Sequence, residues 1–178
     1  MGDTLGGKYE VRATGFPVGL GSHVHYARKL DARLAFLLMG QQSVKAVEMG
    51  SGTALAEVFG SGAHDEIFYN KSRGYYHKTN RAGGTTGGMT NGQDLVVRVT
   101  MKPISTLATP LASVNMKTRK SEKADFERSD ICAVPAGSVI GEALVAYGLA
   151  DAFLEKFGGD SMTEIRRNYE GYLKQIRA

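Results

Sequence analysis

Hydrophobic and polar positions alternate most strongly over Leu95–Met101, where Leu95, Val97, Val99 and Met101 share one face. A period of two predicts a strand with one buried face, the usual state of an antiparallel sheet. Lys8–Ala13 alternates as well, with Tyr9, Val11 and Ala13 opposite Glu10 and Arg12. Shorter strands are expected at Val44–Met49 and Ile67-Phe68-Tyr69. Helical spacing takes over at Leu30, Leu34, Leu37 and Leu38, a helix that Gly40 stops. Thr53–Phe59 reads as a brief helix. Ser138–Phe157 predicts a long helix, apolar nearly all round, with Ile140, Leu144, Tyr147, Ala150 and Leu154 at helical spacing. A helix of that character belongs between layers. Ser161-Met162-Thr163-Glu164 forms a capping box ahead of a last helix whose packing face carries Ile165, Tyr169, Tyr172 and Ile176. Asn70–Asn80 is polar with paired tyrosines, and Leu107–Arg128 is mixed, a strand or loop followed by charge. The order lacks regular strand–helix alternation, and no repeat or linker breaks it. One α+β domain over residues 1–178 follows, with antiparallel sheet layered against helices.

Composition narrows the classes. A length of 178 residues, 42% of them hydrophobic, can bury a substantial core. The net charge of +4 suits an anionic partner but is too small an excess to imply nucleic acid. Its densest basic run, Lys117, Arg119, Lys120 and Lys123, is followed by Glu122, Asp125 and Glu127 without interleaved aromatics, so a solvated loop is expected. Cys132 is the only cysteine, which excludes an internal disulfide and suits a cytoplasmic setting, with Cys132 a small buried apolar residue. Met1–Glu10 is polar, unlike a signal peptide. Glu142 and Asp151 interrupt Val139–Leu154, so a buried helix is expected there and not a membrane span.

Candidate chemistry concentrates in Asn80–Thr106. Gly83, Gly84, Gly87, Gly88 and Gly92 bare the backbone, while Arg81, Lys102, Ser105 and Thr106 add cations and hydroxyls. Such a set suits a phosphate-bearing ligand. It is not a Walker loop, because the GGTTGG segment lacks the lysine. Gly19-x-Gly21 is not a dinucleotide fingerprint, since Val24 stands where the third glycine belongs. His23 and His25 have no cysteine or carboxylate at ligand spacing, so no metal site is expected. His64 beside Asp65 is a loop histidine more readily than an acid–base unit, because sequence neighbours rarely face each other.

Taken in order, Gly19-Leu20-Gly21-Ser22 with Lys29-Leu30-Asp31-Ala32, Asn80-Arg81-Ala82-Gly83-Gly84 with Gly87-Gly88-Met89-Thr90-Asn91-Gly92, Lys102-Pro103-Ile104-Ser105-Thr106, and Glu127–Pro135 together resemble chorismate synthase. The resemblance runs from about Thr4 to about Asp160 and covers the C-terminal part of the family pattern. The N-terminal flavin and substrate segments are not in it, so the chain looks like a truncated, cleaved or separately expressed enzyme. What the resemblance implies is a β-α-β sandwich and a carbon–oxygen lyase of the shikimate pathway, cytoplasmic and homotetrameric. Such an enzyme eliminates phosphate from 5-enolpyruvylshikimate 3-phosphate to give chorismate, with reduced FMN. Position by position, it assigns flavin contacts to Gln42, Ser43, Gly87, Lys102, Pro103, Ile104, Ser105, Thr106 and Arg128, and proton handling at the flavin to Asp130. Gln42 and Ser43 depart from the family's usual asparagine or proline followed by alanine, and Ser129 stands where histidine is common. The alternative is a non-catalytic scaffold or anion-binding module that keeps the fold.

Overall fold

The computed structural model describes residues 2–128 and 130–177. Along the chain come β1 (Gly7–Ala13), α1 (Leu30–Met39), β2 (Val44–Met49), a one-turn α2 (Gly60–Ala63), β3 (Ile67–Asn70) and β4 (Gly74–His77). Then follow β5 (Thr85–Thr86), β6 (Met89–Thr90), β7 (Leu95–Met101), β8 (Ala112–Val114), β9 (Ser121–Lys123), α3 (Val134–Phe157) and α4 (Met162–Arg177). The main sheet has the order β1-β7-β2, both pairings antiparallel. Tyr9 and Val47 flank Val99, and Val11 and Met49 flank Val97, so the alternation of three strands adds to one apolar face. The opposite face is polar. Glu10 and Glu48 flank Arg98 in register, and Arg98 Nε lies 2.9 Å from the Glu10 carboxylate.

Two helices cover the apolar face. Leu30, Leu34 and Leu38 of α1 are buried at the predicted spacing, and the helix ends at Gly40. The long helix α3 turns the other way from expectation. Its buried residues are Gly137, Gly141, Val145, Gly148, Ala152 and Phe157. A stripe that small lets the helix axis approach the sheet closely. A Cβ at Gly141 would come within 2.4 Å of the Tyr9 hydroxyl, and one at Gly148 within 2.8 Å of Leu34. Ile140, Tyr147 and Leu154, expected to face a layer, are 52%, 64% and 51% exposed. Among the described residues α3 has one layer, on its glycine side. Arg28 and Arg33 of the α1 region pair with Glu155, and Arg33 also with Asp151, tying α1 to α3 along their rim. At the far end Phe153, Phe157, Tyr169 and Tyr172 form an aromatic cluster that docks α4. Tyr172 donates to the Val18 carbonyl at 2.9 Å.

The weaker expectations resolve in detail. The brief helix at Thr53–Phe59 is a 3-10 turn over Gly52–Glu57. The polar stretch Asn70–Asn80 contains β4, which pairs with β3 as a hairpin. Leu107–Arg128 holds the exposed β8–β9 hairpin, with the basic run at and beyond its turn. Cys132 is half-buried, bridged to Leu5.

The glycine stripe gives a direct test. Gly141→Ala gains helix propensity of about 1 kcal/mol but pushes a methyl group into the Tyr9 ring, an overpacking that costs about 1–3 kcal/mol. Gly171 in α4 has nothing within 4 Å of the added carbon. Denaturant unfolding should show Gly141→Ala destabilised and Gly171→Ala unchanged or stabilised.

Candidate functional site

The glycine-rich turn and the lysine loop sit at opposite ends of β7. At its beginning, the glycines chiefly make room for the chain itself. A Cβ at Gly83 would stand 2.2 Å from the Gly50 nitrogen, where two loops cross backbone to backbone. A Cβ at Gly88 would strike Lys29 at 2.6 Å and the Ser22 carbonyl at 2.8 Å. The Gly88 carbonyl accepts from Leu30 N at 2.8 Å, which fixes the start of α1 on this turn. Buried Thr90 accepts from Leu20 N at 2.9 Å and donates to the Pro17 carbonyl at 2.6 Å. Gly87 differs. Its added Cβ would meet nothing within 4 Å, and its φ of +61° alone calls for glycine.

Asp65 anchors the same turn. Its carboxylate accepts from Arg81 N and Ala82 N, both at 2.9 Å, and from the Thr79 hydroxyl at 2.5 Å. Desolvation pushes its pKa upward and is the largest single influence. The bonds from Thr79, Ala82 and Arg81, with the charge of His77, together outweigh it and hold the carboxyl below its ordinary value. The His64–Asp65 pair is therefore split: Asp65 bonds the turn, and the His64 carbonyl accepts from the Arg81 guanidinium at 3.0 Å.

At the far end of β7, distant segments converge. Lys102 N donates to the Ser43 carbonyl at 2.8 Å. Ser43 holds a φ of +68°, uncommon for a residue with a Cβ. Gln41, two residues earlier, is clamped on both sides: the Tyr9 hydroxyl donates to Oε1 at 2.6 Å, and Nε2 donates to the Gly137 carbonyl at 2.8 Å. Burial pushes the Tyr9 phenol up, with the Gln41 bond opposing, so it stays a donor at neutral pH. Thr4 Oγ1 donates to the Ile104 carbonyl at 2.6 Å, and Leu5 N donates to the Ile131 carbonyl at 2.7 Å. Residues 4–6 thus run between the loop 102–106 and the segment that leads into α3.

Most of the residues assigned by resemblance meet there. Gln42, Ser43 and Lys102–Thr106 lie side by side, with Lys102, Pro103 and Ser105 exposed and Ile104 and Thr106 half-buried. Asp130 directly precedes the Ile131 contact; it and Arg128 are exposed. Ser129 between them lies outside the described residues. Gly87 lies in the turn between β5 and β6, ahead of the other end of β7. Six strand steps separate Leu95 from Met101, about 20 Å at a rise of about 3.4 Å per residue.

Comparison with known proteins matches residues 1–154 to the family model for chorismate synthase. The chain belongs to the chorismate synthase family. Chorismate synthase of Geobacter sulfurreducens is 56% identical over 184 aligned positions, taking in 99% of this chain and 47% of that protein. That of Desulforudis audaxviator is 58% identical, taking in 99% of this chain and 45% of the relative. A chorismate synthase crystal structure superposes with a TM-score of 0.81 at 43% identity, over 98% of this chain and 45% of that one. The chain spans about half the length of the chorismate synthases it matches, and its α+β fold is theirs.

Three contributors escaped the sequence: Thr4, Gln41 and Asp65. Each acts through a backbone group far along the chain, as Thr4 does on Ile104, and no local pattern marks such a bond. Asp65 permits a test. A depressed carboxyl pKa contributes stability that is present above the unfolded value near 4 and is lost as pH falls through the lower folded value. As pH falls below about 4, the protection factors of the Arg81 and Ala82 amides should drop ahead of those elsewhere in the chain. Asp65→Asn should show low protection there already at pH 7, with the acid-dependent loss gone.

Proposed function

We propose that this chain forms the C-terminal half of a chorismate synthase. The reaction is the 1,4-elimination of phosphate and a proton from 5-enolpyruvylshikimate 3-phosphate, a carbon–oxygen lyase step with reduced FMN as cofactor. A cytoplasmic homotetramer acting on a small molecule, without nucleic acid or membrane, belongs to the same proposal. The observation that carries it is the convergence of residues 42–43, 102–106 and 130–132 through the Lys102–Ser43, Thr4–Ile104 and Leu5–Ile131 hydrogen bonds.

The donor set fits the phosphate end of a flavin. Lys102 offers a compact ammonium, and the hydroxyls of Ser105 and Thr106 stand on the same loop. Gln42 and Ser43 form the adjoining wall, with Arg128 a second cation and Asp130 the carboxylate that takes or returns a proton. The cofactor, when bound, supplies electronic stabilisation to the elimination without net redox change. The chain's part is to hold the polyanions in place and to oppose the charge that grows on the departing phosphate. Gly87, in the turn before the other end of β7, is the further backbone contact that the resemblance assigns.

Flavin fluorescence titration of the purified 178-residue chain tests this reading. Expected is weak, saturable FMN binding, reduced about tenfold or more by Lys102→Ala, since a hydrogen bond to a charged group is worth about 1.5–3 kcal/mol. An added N-terminal half from a relative should tighten binding and bring turnover. FMN binding indifferent to Lys102→Ala and Arg128→Ala, or full turnover by the chain alone, would contradict it. Phosphate binding with no flavin response even after complementation would favour the anion-binding module.

A further inference from the structure

The last helix reaches back to the glycine-rich turn. Tyr172 of α4 stands at the edge of the aromatic cluster, half-buried, with its ring 5.4 Å from that of Phe157 and 4.3 Å from the Lys156 ammonium. These two contacts hold the ring independently of its hydroxyl. The hydroxyl donates to the Val18 carbonyl at 2.9 Å, across 154 positions of sequence. The loop comes this close because residue 19 is glycine. At its φ of +83° a Cβ would stand 3.0 Å from the Tyr172 hydroxyl.

The Val18–Gly19 peptide is bonded at both ends. Its carbonyl accepts from Tyr172, and its N–H donates to the Thr90 carbonyl at 2.8 Å. Thr90 N donates in return to the Leu20 carbonyl at 3.0 Å, and Gly21 bridges Met89. Residues 19–21 thus line the outer edge of β6, whose other partner is the two-residue β5. Gly87 and Gly88 join β5 to β6, with φ of +61° and +85°, the positive pair of a type I′ hairpin turn. A hairpin this short takes its orientation from what its strands are tied to. Hydrogen bonds in series polarise one another, so acceptance at the Val18 oxygen strengthens donation from the Gly19 N–H.

We propose that Tyr172 is a positioning residue for the Gly87–Gly88 turn, acting through the Val18–Gly19 peptide and β6. The assignment rests on the flavin reading, in which Gly87 is a backbone contact of the cofactor. α4 thereby sets where the bared backbone of Gly87 stands. Tyr169 packs in the same cluster, 5.3 Å from Phe157, but among the described residues its hydroxyl makes no bond to the loop.

Tyr172→Phe removes the hydroxyl and keeps the ring, and Tyr169→Phe is its control. Amide spectra of the 178-residue chain are recorded without ligand and with FMN. Without ligand, Tyr172→Phe should lower the protection factors of Gly19 and Thr90 about twofold to tenfold, the range of one neutral hydrogen bond, and shift the Gly87 amide. The Lys102 amide should stay as in the unsubstituted chain. At FMN concentrations that saturate the Lys102 response, the FMN-induced shift at Gly87 should shrink or vanish, which a general loss of stability does not produce. Tyr169→Phe should leave all of these unchanged. Gly19, Thr90 and Gly87 unaltered in Tyr172→Phe, or altered equally in Tyr169→Phe, would overturn the link. A Gly87 response to FMN that Tyr172→Phe leaves whole would overturn its bearing on the cofactor. FMN that shifts neither Gly87 nor Lys102 in the unsubstituted chain is a failure of the flavin reading, and the ligand-free comparison then decides the Tyr172 link by itself.

Discussion

Burial of one face of β7 is the constraint on which the rest depends. Leu95, Val97 and Val99 are fully buried and Met101 nearly so, between two strands and under two helices. Every inward residue of the neighbouring strands is set by register against them. A slip of one residue would turn this whole row to water and bring Arg98 inward, so the register is strongly fixed. Once it is fixed, the two ends of the strand are fixed too. The glycine turn must lie at one and the lysine loop at the other.

Each end then solves a different problem. At the beginning of β7, backbone crosses backbone at Gly50 and Gly83, and a side chain has no room. The glycines that look in sequence like a ligand cradle are mostly consumed by this internal crossing, with Asp65 as its anchor. At the end of β7, the sheet hands over to exposed chain held by Ser43, Thr4 and Leu5. The Tyr9–Gln41–Gly137 bridge ties that loop to the start of α3, and the polar atoms of the clamp satisfy each other. Lys102 and Ser105 are exposed there.

Much of this was legible along the chain, for a definite reason. Leu95–Met101 and Lys8–Ala13 announce themselves because a half-buried strand must alternate. The Ser161–Glu164 capping box is realised in both directions, at 3.3 and 3.2 Å, because its bonds are local. The inward face of α3 was not legible. Hydropathy ranks Ile140 and Leu154 above Gly141, but close approach to Tyr9 rewards the absence of a side chain. Nor was β4, whose Tyr75 and Tyr76 pair across the hairpin with Tyr69 and Phe68 on a ribbon largely open to water. At the site, the Lys102–Thr106 motif is contiguous and so visible, whereas its clamps join residues about a hundred positions apart.

The separation of the two ends of β7 is the claim most open to direct measurement. Spin labels at Gly87→Cys and Ser105→Cys, in a Cys132→Ser background, report that distance in the dilute chain. A separation of about 20 Å or more is predicted from the strand length between them. A distance below about 10 Å would contradict the account, returning glycine turn and lysine loop to a single pocket.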